Sequence, residues 1–161
     1  MKKLIFATVL CALAAACVQP PAAPKAPELK LSIPAVAEET VWQTQDYNGK
    51  PILIAFMGSW CPWCKRSLPA LDAAAKQFDG QVEVVGAFVD EELPTVQAVV
   101  KEHNMKTKAL YNAGEAAGQM HVSGFPHIML FDKNHQLVKV WSGYSPTLEE
   151  EFVVEINKAL K

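Results

Sequence analysis

The feature that most constrains the fold is an apolar run that leads directly into a cysteine pair. Residues 52–57 (ILIAFM) are all apolar, and Gly49 and Pro51 mark a turn just before them. A short strand without polar alternation is typical of a sheet that is covered on both faces. Residues 62–78 then have the pattern of a helix, and Cys61 and Cys64 lie at its start. The pattern predicts an α/β protein with its cysteine pair at a strand–helix junction.

The rest of the chain continues the alternation of strands and helices. The further predicted elements are a strand over 82–89, a helix over 93–104, a strand over 108–111, a helix over 115–120, strands over 127–131 and 136–141, and a C-terminal helix. The last helix should bury Leu148, Phe152, Ile156 and Leu160. Thr147 and Glu150 are expected to form a capping box at its start. Alternation followed by a hairpin and a helix indicates a mixed sheet covered on both faces.

The N-terminus has the features of an export signal. Lys2 and Lys3 precede an apolar run over residues 4–16, which ends in three alanines. As a helix the run would cover about 20 Å, less than the roughly 30 Å of membrane hydrocarbon. A signal peptide is therefore predicted over residues 1–16, and its removal would discard Cys11. Cys17 resembles the lipid-modified cysteine of bacterial lipoproteins, and ordinary cleavage within the alanine run is the alternative.

The domain organisation and the charge limit the candidate partners. A Pro/Ala-rich tether is predicted over residues 17–37, followed by one folded domain over residues 38–161. With 15 Lys+Arg against 17 Asp+Glu, the formal net charge is −2. Nucleic acid is therefore not an expected partner. If Cys17 is lipidated, the membrane attachment is expected through lipid alone.

The cysteine pair favours redox chemistry. Two cysteines three residues apart at a helix start lie close enough for their sulfurs to bond. Cys61 is expected near the N-cap, where unpaired N–H groups and the helix dipole stabilise a thiolate, with Cys64 more shielded. Half of a zinc site is the alternative, but a structural zinc takes four ligands. No histidine has a fitting spacing, so no metal site is predicted; the four are His103, His121, His127 and His135.

Several motifs are similar to one family. The motif residues are Trp60, Cys61, Pro62, Trp63, Cys64 and Lys65, with Pro69 beyond them. Together with Gly49–Pro51, Val85–Asp90 and Met120–Pro126, they resemble the thioredoxin superfamily, and within it the exported TlpA/ResA/DsbE-type branch. The resemblance implies a thioredoxin-like α/β fold, with a mixed central sheet flanked by helices. The helix and strand over 93–111 look like the insertion of the TlpA type.

The resemblance also implies roles for particular residues. Cys61 is expected to be the nucleophile and Cys64 the resolving cysteine. Pro126 is expected to be the cis-proline that faces them, and Gly124 and Phe125 should offer backbone groups to a substrate peptide.

The chain departs from the family pattern at three places. Ala55 stands where cytosolic thioredoxin has a buried Asp, and Ser67 stands where TlpA-type proteins often have a Glu. Proton handling is therefore expected to fall to Asp90 or Glu91, with a solvated loop-end pair as the alternative. The order Pro62–Trp63 between the cysteines also differs from the X-Pro order that is usual in the family. This difference weakens the assignment of the protein as a reductant.

The resemblance implies a periplasm-facing thiol–disulfide oxidoreductase that needs no cofactor. Its expected action is the reduction of disulfides in exported proteins, for example in cytochrome c maturation. A thiol donor in the membrane would then restore the dithiol. The alternatives are a disulfide oxidase or isomerase, and a non-catalytic module that binds copper or protein on the same fold.

Overall fold

The computed structural model describes residues 29–37 and 40–161. The predicted signal peptide, Cys17 and the tether as far as residue 28 lie outside the described residues. The elements are β1 (Ser32–Pro34), β2 (Val41–Gln43), β3 (Ile52–Met57), α1 (Pro62–Gln77), β4 (Glu83–Phe88), α2 (Leu93–Glu102), β5 (Lys108–Leu110), α3 (Gly114–Gln119), β6 (His127–Phe131), β7 (Leu137–Ser142) and α4 (Leu148–Ala159).

A mixed sheet forms the centre of the domain, with the strand order β5-β4-β3-β6-β7. Strand β3 pairs in parallel with β4 and antiparallel with β6, and all six of its residues are buried. Strands β5 and β7 extend the sheet on either side. The predicted α/β class and mixed sheet are confirmed, and the bounds of β3 and β6 agree with the sequence prediction.

Two apolar layers cover the sheet, one on each face. On one face, α1, α2 and α4 pack against alternate residues of β3, such as Leu53 and Met57. On the other face, α3 and the β1–β2 hairpin cover Ile54 and Phe56. Because side chains alternate between the faces of a strand, a strand covered on both sides must be apolar throughout. Among the helices of the described residues, none has both the length and the apolar character needed to cross a membrane.

The N-terminal boundary of the domain differs from the prediction. Strand β1 pairs with β2, and the Thr44 hydroxyl accepts a hydrogen bond from the Leu31 N–H at 3.0 Å and donates one to the Leu29 carbonyl at 2.9 Å. The buried side chains of this segment are those of Leu29, Leu31, Ile33 and Ala35. The tether prediction over 17–37 is therefore corrected for its last part, since the fold already includes Leu29. The proline-rich composition obscured a period-two apolar pattern.

The predicted capping box is also corrected. Thr147 is the N-cap residue of α4, but its side chain makes no capping hydrogen bond to the backbone. Its hydroxyl instead donates to Glu151 Oε1 at 2.7 Å, while Glu151 Oε2 accepts a bond from Trp141 Nε1 at 2.8 Å. Glu151 thereby links β7 to α4, and these two bonds lower its pKa.

Candidate active site

The two cysteines lie where the central strand passes into the first helix. Strand β3 ends at Met57, and Cys61 is the N-cap residue of α1, with extended backbone angles (φ −87°, ψ 110°). A disulfide joins Cys61 to Cys64 across a Cα–Cα distance of 5.2 Å. The Cys64 N–H also donates to Cys61 Sγ at 3.1 Å. Pro62 begins the helix, at a position where its missing N–H costs no hydrogen bond.

The two sulfur-bearing residues differ in exposure. Cys61 is 8% exposed, whereas Cys64 is 1% exposed and packs among apolar residues of the core. A substrate that approaches the helix start therefore meets Cys61 first. In the reduced state, the positive end of the α1 dipole would stabilise negative charge on its sulfur.

The loop before β6 faces the disulfide. The Phe125–Pro126 peptide bond is cis, which is the conformation that the resemblance implies. The Phe125 carbonyl oxygen lies 3.7 Å from Cys61 Sγ, and Gly124 is exposed beside it. The next residue, His127, begins β6, and burial lowers its pKa below the usual 6.5. This geometry leaves a backbone carbonyl next to the more accessible sulfur.

Asp90 and Glu91, the two predicted proton-handling residues, have different surroundings. Asp90 Oδ2 accepts a hydrogen bond from the Ser59 N–H at 2.9 Å, and its Oδ1 accepts one from the Ser59 hydroxyl at 2.5 Å. Glu91 is exposed and makes no hydrogen bond within the described part of the chain. Asp90 therefore holds the loop that precedes Cys61. Its part in proton transfer stays a prediction.

Two of the positions that depart from the family pattern, Ala55 and Ser67, are buried. Ala55 is fully buried in β3, next to β4 and β6. Ser67 is also fully buried, and its hydroxyl donates to the Cys64 carbonyl at 2.7 Å. The Ser67 hydroxyl is thus satisfied within its own helix, as is common for serine in helices.

Sequence reasoning gave no role to two residues beside the site, Tyr144 and Arg66. The Trp63 ring stacks on Tyr144 with the ring centroids 5.9 Å apart, and Arg66 Cζ lies 4.6 Å from the Trp63 centroid. On the other side of the cysteine pair, the Trp60 ring packs edge-on against the Phe125 ring, with the ring centroids 6.4 Å apart. The topology contains a signal for Tyr144: β7 runs antiparallel to β6, so the residues after β7 come to the edge where β6 begins.

No group of three or more His, Cys, Asp or Glu side chains that could hold a metal ion occurs among residues 29–37 and 40–161. The four histidines therefore form no such cluster with the cysteine pair.

A redox-capable cysteine pair lies at the start of α1, beside the loop before β6 that contains Pro126 (the Pro126 loop). Together with the order of strands in the sheet, this arrangement defines a thioredoxin-fold thiol–disulfide oxidoreductase. The model of the AhpC/TSA family matches residues 23–159, so the chain belongs to that family. It is similar to the thiol-disulfide oxidoreductase ResA of Bacillus thuringiensis, with 25% identity over 118 residues, 71% of this chain and 68% of the relative. ResA of Bacillus subtilis is 26% identical over 121 residues, 74% of this chain and 66% of the relative.

Solved structures support the fold. The thiol:disulfide interchange protein DsbE of Chlorobium tepidum superposes with a TM-score of 0.76 at 20% identity, over 83% of this chain and 95% of that chain. The exposed lipoprotein thioredoxin Etrx1 of Streptococcus pneumoniae gives a TM-score of 0.70 at 21% identity, over 81% and 99% of the two chains. The thioredoxin-superfamily resemblance is confirmed by these comparisons and by the family match.

Proposed function

We propose that this oxidoreductase reduces disulfides of exported proteins, with Cys61 as the nucleophile and Cys64 as the resolving cysteine. The observation that carries the proposal is the difference between the two sulfurs. Cys61 caps the helix beside the Pro126 loop and is the more exposed of the pair, while Cys64 lies behind it in the core.

The reaction is two thiol–disulfide exchanges in sequence. In the reduced protein, the Cys61 thiolate attacks one sulfur of the substrate disulfide, so a mixed disulfide forms and the other substrate sulfur leaves as a thiolate. Cys64 then loses its proton and attacks Cys61 Sγ, which releases the second substrate thiolate. Two electrons pass to the substrate, and the Cys61–Cys64 bridge seen in the structure is the product state.

Backbone groups beside the pair support recognition of a polypeptide. Gly124 and Phe125 lie before β6, and the Phe125 carbonyl is 3.7 Å from Cys61 Sγ. An extended substrate segment would pair with such groups as an added strand does, which is a recognition mode that tolerates many sequences. Disulfides of apocytochromes c are one proposed class of substrate.

The proposed location is the periplasmic face of a membrane, with attachment through a lipid on Cys17. The apolar run over residues 4–16, followed directly by Cys17, supports export and lipidation. A reductase in an oxidising compartment needs a dithiol donor, so we propose a membrane protein with a reactive dithiol as the partner. In the producing cells, Cys17→Ser should move the protein from the detergent phase to the aqueous phase of a Triton X-114 partition. A wild-type protein found in the aqueous phase would contradict lipidation.

Insulin reduction in the presence of a regenerating dithiol tests the chemistry. Cys61→Ser should abolish turnover, and Cys64→Ser should accumulate a covalent adduct with the substrate that dithiothreitol releases. Cys17→Ser, which leaves the pair intact, is the matched control and should retain the wild-type rate. An active Cys61→Ser variant would refute the assignment of the nucleophile.

The direction of the reaction is tested in intact cells by thiol alkylation after rapid acid quenching. A reductase should hold the Cys61/Cys64 pair mainly as thiols, which would be labelled. A pair that is mainly oxidised would favour the oxidase alternative instead.

A further inference from the structure

The surface around the dithiol exposes two large aromatic rings. Trp60 is 63% exposed and Trp63 is 52% exposed, although each is in contact with another ring. Indole rings are costly to leave in water and are enriched at protein interfaces. Two of them on either side of one cysteine pair indicate a surface that another molecule covers.

The ring pair on the α1 side is held to the Pro126 loop. Gly143 has a φ of +87°, and its N–H donates to the Pro126 carbonyl at 2.8 Å. This bond fixes the backbone just before Tyr144, whose ring stacks on Trp63 with an angle of 22° between the planes. The stacked pair is therefore in place before a substrate arrives, so little side-chain entropy remains to be lost on binding.

Arg66 completes this patch with an unpaired positive charge. It lies three residues after Trp63 on α1, so the two side chains share one helix face. The guanidinium lies over the Trp63 ring and makes no hydrogen bond or ion pair with another described residue. A guanidinium has five N–H donors in a planar fork that matches a carboxylate.

We propose that Trp63, Tyr144 and Arg66 form a subsite that binds an acidic side chain of a polypeptide substrate, close to its disulfide. This inference rests on the proposed function. The guanidinium gives the patch a local positive charge, which favours an acidic group on the partner. The aromatic rings would cover the apolar part of the same segment.

The helix geometry gives the expected spacing. Arg66 follows Cys61 by five residues, or about 7.5 Å along the helix axis. An extended peptide covers that distance in about two to three residues. The acidic side chain is therefore expected two or three positions from the cysteine that Cys61 attacks.

Three disulfide-bonded peptides that differ at this position alone test the inference. They carry Glu, Gln or Lys three residues from one cysteine, and the second-order rate of their reduction by the reduced full chain is measured at low ionic strength. The wild type should reduce the Glu peptide about threefold or more faster than the Lys peptide, with Gln between them. The ratio should shrink at 0.5 M salt, because salt screens exposed charges.

Arg66→Gln should bring the rates on the Glu, Gln and Lys peptides together. Lys101→Gln, which removes one exposed charge from α2, is the matched control and should keep the wild-type ratio. A wild type that reduces the three peptides equally, or an Arg66→Gln variant with an unchanged ratio, would overturn the subsite and leave the proposed function standing. Failure to reduce any of the peptides would overturn both.

Discussion

The contact between Asp90 and Ser59 gives a prediction that separates positioning from proton transfer. Both carboxylate oxygens of Asp90 accept hydrogen bonds from Ser59, one from its N–H and one from its hydroxyl. Ser59 lies two residues before Cys61, so these bonds fix the segment that leads to the nucleophile. Asp90→Asn keeps one acceptor oxygen and replaces the other with an NH₂ group, which cannot accept.

The magnitude follows from the number and kind of bonds lost. A hydrogen bond to a charged group contributes about 1.5–3 kcal/mol net, and the low end applies because Asp90 is only half-buried. We expect Asp90→Asn to lower the free energy of unfolding by about 1–2 kcal/mol. If the same loss loosens the segment before Cys61 in the transition state, the exchange rate falls by up to about tenfold.

Two measurements on the same variant check this reasoning. Urea unfolding of the oxidised protein gives the stability change, and stopped-flow reduction of a disulfide peptide between pH 5 and 9 gives the rate. A positioning role predicts a lower rate at every pH, with the shape of the profile unchanged. The control is Glu91→Gln, which makes the same charge change at an exposed residue and should alter stability by less than about 0.5 kcal/mol.

Either of two results would refute the positioning role. Unchanged stability in Asp90→Asn would show that the two bonds do not hold the segment. An inflection of the pH–rate profile that moves or disappears would show that Asp90 transfers a proton, as the sequence analysis predicted for this pair of residues.

Three further predictions concern the stability of the domain. Thr44→Val should lower the free energy of unfolding by about 2–4 kcal/mol in urea, because it leaves a buried N–H and a buried carbonyl without partners, whereas exposed Thr95→Val should change it little. Phe152→Ala removes a fully buried ring that contacts Trp141 and should cost about 3–5 kcal/mol, with exposed Val154→Ala as the control. His127 has a pKa below 6.5 in the folded state, so the unfolded chain binds its proton more tightly and stability should fall as the pH drops below about 6.5. His127→Gln should reduce that loss, as measured by unfolding at pH 5 and pH 7.5; an unchanged loss would contradict the assignment.

Local patterns were sufficient for the central elements and for the position of the cysteine pair. The apolar run of β3 and the Cys–Pro start of α1 are signals within a few residues of one another, so the bounds of β3 and the N-cap position of Cys61 agree with the structure. The β1 segment was missed because the proline-rich composition of residues 17–37 indicated a tether. The alternation of apolar residues in that segment is short and was therefore overlooked. The predicted Thr147–Glu150 capping box does not form, because the Thr147 hydroxyl donates to Glu151 instead. Glu151 also accepts a bond from Trp141 of β7, a partner that no helix pattern contains.

The sequence by itself determined the class of chemistry, because two cysteines at a helix start already define a dithiol that can open and close. The surroundings of the dithiol were decided by the tertiary structure. Ser59 forms a hydrogen bond with Asp90, which lies 31 residues away in the sequence. The Phe125 carbonyl contacts Cys61 Sγ, and these two residues are 64 positions apart. Trp63 meets Tyr144 because β7 returns antiparallel to the edge where β6 begins. Such contacts depend on strand order and direction, which arise from the burial of the whole sheet and not from any one segment.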